Sequence, residues 1–294
     1  SQGRVFVGLQ YYTDDNGDTW DIDMTPPFTG PVSSFIESGS RILIGGNNSV
    51  YSSEDKGGSW VQKVSGLPGD MQVPTLFTDG STVYLVTYAG ELFSSTNGGD
   101  SWFEITTNLG KFKIKDMTFI NDKIVAYTQN PYTADDAIQW SADAATWTSS
   151  NFPDVAVKSL EVAFNKVYAI AQNDGLYISS DNGSTFSNEN TGIVSGQLLE
   201  NNGDLFYFSS DDGVNLLSAD GKTLTPRQDG IITNSLNALI SANNILFLGT
   251  SIGVYRSGNG GSSWSLANKG LGYQPIADMV SMGDTLFAGT ANGG

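Results

Sequence analysis

The chain of 294 residues contains no histidine and no cysteine. Without histidine there is no Ser-His-Asp or Cys-His nucleophile pair and no His-ligated zinc, iron or copper. Without cysteine there are no disulfides, thiolate nucleophiles or Cys-held iron–sulfur clusters. Chemistry is left to carboxylates, Tyr, Lys, Ser/Thr and backbone groups, and neither a cofactor nor a metal is expected. Basic residues are scarce too: 14 Lys+Arg stand against 31 Asp+Glu, a formal net charge of −17. So acidic a chain repels polyanions instead of releasing their counterions, so nucleic acid is not an expected partner. No apolar run reaches the ~18 residues a membrane helix needs, and direct membrane insertion is not expected. The start, Ser1-Gln2-Gly3-Arg4, is not a signal peptide, although a mature exported chain would have lost one.

Glycine is plentiful, at 35 residues, and the chain repeats itself. Trp20, Trp60, Trp102, Trp147, Phe186, Leu224 and Trp264 each close a short turn motif, with spacings of 40, 42, 45, 39, 38 and 40 residues. The motifs span 13–20, 53–60, 95–102, 141–147, 179–186, 218–224 and 257–264; S-S-D-N-G-S-T-F from Ser179 to Phe186 is typical. Short β-type runs precede them in phase, such as Val83-Tyr84-Leu85-Val86, Val167-Tyr168-Ala169-Ile170 and Leu286-Phe287-Ala288. A Gly-aliphatic pair follows several of them: Gly66-Leu67, Gly192-Ile193, Gly230-Ile231 and Gly270-Leu271. Each unit reads as four short strands, and its glycines interrupt any 3.6-residue stripe. The expected fold is all-β, a single domain over residues 1–294 forming a seven-bladed propeller of four-stranded antiparallel blades.

Each turn motif has a physical logic. A leading Ser or Thr and a following Asp or Asn bond nearby backbone amides, Gly supplies φ > 0, and the closing ring packs between blades. These motifs resemble the Asp boxes, S-x-D-x-G-x-T-W, of BNR-type propellers. That family includes sialidases, xyloglucanases, sortilin ectodomains and photosystem II assembly propellers, and the resemblance covers nearly the whole chain. It implies structural roles for Asp15, Gly17, Trp20, Asp55, Trp60, Asn97, Trp102, Asp143, Trp147, Asp181, Phe186, Asp220, Asn259 and Trp264, away from the ligand face. The acidic stretch Asp14 to Asp18 is accordingly read as a turn and not as a calcium loop. Asn97 and Asn259 depart from the pattern, as do Ala144 near the Gly place and Phe186 and Leu224 in the Trp place.

Ring closure contains a surplus. Val5-Phe6-Val7-Gly8 looks like an eighth copy of the repeated strand, so the closing blade is expected to combine strands near 4–24 with strands near 276–290. Either the Val5 run or the Leu286 run fills the equivalent place. The stop at Gly293-Gly294, where other units run on into a turn, suggests membership of a larger multidomain chain.

The sialidase chemistry that the resemblance brings to mind needs an arginine triad, but the only arginines are Arg4, Arg41, Arg227 and Arg256, none in an R-I-P motif. The expected function is therefore a non-catalytic, exported binding or scaffold propeller of a bacterium, extracellular or at the cell surface, with an unknown protein or glycan ligand. A carbohydrate-active enzyme using face carboxylates and an assembly factor for a membrane complex are the alternatives. Loops between second and third strands, and between blades, form the expected ligand face. Its candidate residues are Asn47, Asn48, Tyr132, Asp135, Asp136, Asn173, Asp211 and Asp212, with Asp174 as a further carboxylate. Tyr132, Asp135 and Asp136 fall in the longest unit. Trp140, outside any closing position, is read as a strand residue packed between blades.

Overall fold

The computed structural model describes residues 10–23, 32–46, 48–55, 58–69, 71–72, 74–189, 191–233, 235–282 and 285–290. The Val5 run, Asn47 and Gly293-Gly294 lie outside them. The described residues form 28 strands in seven four-stranded antiparallel sheets. These are the blades of a seven-bladed β-propeller. Blades 1 to 7 open on the strands Val32–Ser38, Thr75–Thr78, Lys113–Ile120, Val157–Ala163, Gln197–Asn201, Leu236–Ala242 and Ile276–Met282. These first strands are innermost, and those of successive blades approach one another around the axis.

The second strand of each blade is flanked by strands on both edges and by other blades on both faces. It reads as a continuous apolar run for that reason, and Lys166–Ala171 and Ile245–Thr250 are buried at every residue after the first. Blade-to-blade packing supplies the core in separate clusters; one joins Val125, Ile138, Leu160, Val167 and Phe186 across blades 3 and 4.

Blade 7 closes the ring. Its inner strands are Ile276–Met282 and Thr285–Thr290, and its outer strands are Gln10–Thr13 and Asp21–Asp23. Tyr11 pairs with Ala288 and Tyr12 with Phe287, so the Leu286 run fills the second-strand place.

Hairpins between first and second strands mark one face, here called lower. Their residues have φ > 0, as in Asn121-Asp122, Phe164-Asn165 and Asn243-Asn244, the backbone that two-residue hairpins of this twist require. Asn amides tie these turns together: Asn121 donates to Asn165 at 2.8 Å and Asn202 to Asn244 at 3.0 Å. The turn motifs share this face, and the opposite, upper face carries the second-to-third turns and the links between blades.

Candidate binding face

The turn motifs of the lower face are self-contained. In the first, the Asp15 carboxylate accepts the Thr13 hydroxyl at 2.7 Å, the Thr19 amide at 2.9 Å and the Thr19 hydroxyl at 2.6 Å. Asp55 and Asp181 are held identically by Ser53 with Ser59 and by Ser179 with Thr185. In the shorter motifs Asp143 accepts the Thr146 amide at 2.6 Å and Asp220 the Lys222 amide at 3.1 Å. Asn97 and Asn259 keep the acceptor oxygen and reverse the other bond, their Nδ2 donating to Ser101 and Ser263. Ala144 takes the left-handed backbone at φ 62°. The Thr19 bonds outweigh partial burial and draw Asp15 down to about 2; the Ser59 hydroxyl and amide do the same for Asp55.

Closing residues join consecutive blades. Trp20, Trp102 and Trp264 are buried, and each indole donates to a carbonyl of the link entering its blade: Ala267, Lys63 and Arg227. Their backbone amides donate to Lys269, Ser65 and Asp229. Trp147 and Phe186 take another partner, a side-chain amide. Asn108 accepts the Trp147 amide at 2.7 Å and donates to its carbonyl at 3.1 Å, and Asn151 treats Phe186 the same way at 2.6 and 3.1 Å. Trp60 packs in the cluster between blades 7 and 1. Arg41 and Arg256 serve this face too, in ion pairs with Glu54, Asp100 and Asp18.

On the upper face most of the expected carboxylates are occupied. Asp136 accepts the Tyr127 hydroxyl at 2.6 Å, Asp174 that of Tyr177 at 2.6 Å, and Asp212 that of Tyr207 at 2.5 Å. Burial and these carboxylates push the Tyr127 and Tyr207 phenols up, out of reach of ionisation near neutral pH. Asp135 accepts the Thr133 hydroxyl. Asp136, expected on a ligand-face loop, belongs with Ala137 to the strand Asp136–Ser141, which leaves residues 130–135 as the loop of the long unit. Asn48 and Asn173 stand at φ 62° and 60°, so their backbone serves the turns. Trp140 sits in the same strand against the blade 3–4 cluster, with the Lys123 ammonium 3.9 Å from its ring centroid.

What the upper face presents is apolar. Ten large hydrophobic side chains are exposed among the described residues. Tyr88 and Tyr132, on second-to-third turns, and Val194, Ile232 and Tyr273, on links, lie on this face, and Ile232, Tyr132 and Tyr273 are 82%, 78% and 76% exposed. Phe164 alone lies on the lower face, and the other four lie on or beside outermost strands. Links and turns brace each other, as where the Asn173 amide donates to Val194 at 2.8 Å. Tyr88 and Tyr132 were legible as residues of second-to-third turns; Val194, Ile232 and Tyr273 were hidden among ordinary apolar residues of the links.

Charge on this face is divided. Lys111 lies 5.5 Å from the Tyr132 ring centroid, and Lys113 lies 5.1 Å from that of Tyr88 while donating to the Tyr88 carbonyl at 2.8 Å. Lys115 and Lys158 occupy equivalent β-bulges on the innermost strands of blades 3 and 4. Asp211 and Asp212 stand on blade 5, the neighbour of blade 4.

One residue of the innermost strands breaks the pattern of its ring. At equivalent register in blades 1 to 7 stand Ile36, Phe77, Thr118, Glu161, Leu199, Ile240 and Val280. Glu161 is the sole ionisable member. Burial, with repulsion from Asp116 and Glu200, raises its carboxyl to about 7.

Comparison with known proteins places the fold and nothing finer. No family model matches the sequence, and no curated protein matches it. Among solved structures, YCF48 bound to a D1 peptide is similar at 15% identity, with a TM-score of 0.67 over 91% of this chain and 94% of that one. YCF48 from Cyanidioschyzon merolae is similar at 10% identity and TM-score 0.67, over 91% of this chain and 98% of its own. The extracellular domain of the putative hybrid two component system BT4673 from B. thetaiotaomicron is similar at 16% identity and TM-score 0.65, over 96% of this chain and 39% of its own.

Proposed function

We propose that this propeller is a non-catalytic binding module that holds an extended protein segment across its upper face. The observation that carries the reading is the gathering, among the described residues, of Tyr88, Tyr132, Val194, Ile232 and Tyr273 on that face against Phe164 alone on the other. Exposed tyrosines and aliphatics bury little of their surface in the fold and are the side chains that interfaces use. The loops that bear them are braced by one another, so little order remains to be gained on binding. Lysines around blade 3 and the carboxylates of blade 5 would orient the segment. A solved propeller of similar fold holds a peptide, the D1 peptide of YCF48, which supports the protein class of ligand.

Binding is favoured over hydrolysis because Asp136, Asp174 and Asp212 each accept a tyrosine hydroxyl. A carboxylate so used is a turn brace before it is an acid or base. The reading extends to an exported bacterial chain, in keeping with its composition and its likeness to an extracellular domain. Selection of displayed random peptides on the wild type tests it. Enriched peptides are expected to lose binding to a Tyr88→Ser, Tyr132→Ser, Ile232→Ser variant and to keep binding to Phe164→Ser; the reverse would reject the upper face.

A further inference from the structure

A groove beside blade 5 combines an apolar wall with an uncommitted carboxylate. It forms where the turn 210–212, between the second and third strands of blade 5, faces residues 228–233 of the link into blade 6. The open space is ≈ 570 Å³, lined by Asp211, Asp212, Gln228, Ile231, Ile232 and Leu236 among others. That volume lies within the ~300–1,000 Å³ of small-ligand sites.

Its two acids differ. Asp212 is committed to the Tyr207 hydroxyl at 2.5 Å and the Ser209 hydroxyl at 3.1 Å. The Asp211 carboxylate accepts no hydrogen bond and meets no Lys or Arg among the described residues, and no cation lines the groove. Gln228 closes one side, its Oε1 packed against Gly213, which stands at φ 75° in the left-handed region that favours glycine. Ile232 stands exposed at the wall.

The occupant that answers all of this has an aliphatic stem and a flat, delocalised cation. Methylenes would lie along Ile231, Ile232 and Leu236 while the head meets Asp211 and the Gln228 carbonyl. Guanidinium is more weakly hydrated than ammonium and bonds a carboxylate through two donors, which favours arginine over lysine. The net charge of −17 draws basic segments toward the surface. The geometry points to this groove as the subsite for an arginine side chain of the bound segment, an inference that rests on the protein-binding reading above.

The test uses n-butylguanidinium as probe and n-butylurea as its neutral near-isostere, followed by amide chemical shifts of the intact chain. Butylguanidinium is expected to shift the amides of 211–213 and 231–233 saturably, with butylurea roughly ten-fold weaker. Asp211→Asn is expected to weaken the cation by ~five-fold or more, and Glu104→Gln, an exposed acid on an outermost strand, to leave it unchanged. Equal response to both probes, shifts as large around Glu104 as around Asp211, or indifference to Asp211→Asn would overturn the subsite. Because the probe needs no protein partner, such a failure leaves the upper-face reading standing. Loss of that reading would show instead as face variants that keep the selected peptides.

Discussion

The carbonyl oxygen of Trp20 occupies the place where a Cβ on Gly270 would be, only 2.0 Å from it, although the two residues lie at opposite ends of the sequence. The Trp20 amide donates to the carbonyl of Lys269 at 2.9 Å. The last link of the ring is thereby pressed against the outer strand that the N-terminal segment contributes. Gly66 with Trp102 and Gly230 with Trp264 repeat the contact at 2.1 and 2.3 Å. Gly192, whose blade closes with Leu224, has nothing within 4 Å.

The glycines should therefore differ on substitution. Gly192→Ala is expected to cost the ~1 kcal/mol of placing Ala at positive φ, whereas Gly230→Ala and Gly270→Ala must also part link from strand and cost several times more. Denaturant unfolding midpoints of the three variants decide it. Equal losses would mean that backbone conformation, and not Trp contact, explains the Gly-aliphatic pairs.

The Asp boxes make stability acid-sensitive with a definite sign. Asp15 and Asp55 titrate at about 2 in the folded chain and near 4 when unfolded. Their stabilisation is full above about pH 4 and is lost as pH falls through about 2. Asp55→Asn, which copies the natural Asn97 and Asn259, is expected to keep the turn and flatten part of this dependence. A thermal unfolding series from pH 5 to pH 2 measures the change of slope.

Glu161 carries the opposite sign. Its folded value of about 7 lies above its ordinary 4.5, so its contribution is full below the lower value and is lost as pH rises through the higher one. Glu161→Gln is expected to be nearly neutral at pH 5 and to stabilise at pH 8.5 by roughly 1–3 kcal/mol, the side chain being only partly buried. Paired denaturant titrations at the two pH values check this; equal effects at both would contradict it.

Asn108 and Asn151 replace a backbone clasp with a side chain. Asn108→Ala strips the Trp147 amide and carbonyl of their partner, and ~1–3 kcal/mol of destabilisation is expected. Hydrogen exchange at the Trp147 amide should quicken in that variant before exchange elsewhere does. Unchanged protection there would show that the clasp does not hold the two blades.

Much of the fold was legible because propeller order is written locally. The Ser, Asp and Thr of a box sit within a few positions of one another, and second strands announce burial on both faces by unbroken apolar runs such as Val167 to Ile170. The reason for the Gly-aliphatic pairs was not legible, since Gly270 meets Trp20 only after the ring closes. The binding face was half legible. Tyr132 stood out in a long turn, but Tyr177 and Tyr207 reach Asp174 and Asp212 through strand pairing that composition does not display. Ile232 and Tyr273 look like core residues until the links place them outside.

The proposed role of the upper face is to meet a protein segment. Photo-crosslinking by benzoylphenylalanine placed in turn at Tyr132, Ile232, Tyr273 and Phe164, in cells of the native host, tests it most directly. Adducts to one and the same protein are expected from the first three positions and none from Phe164. Adducts from Phe164 with silence at the other three would contradict it.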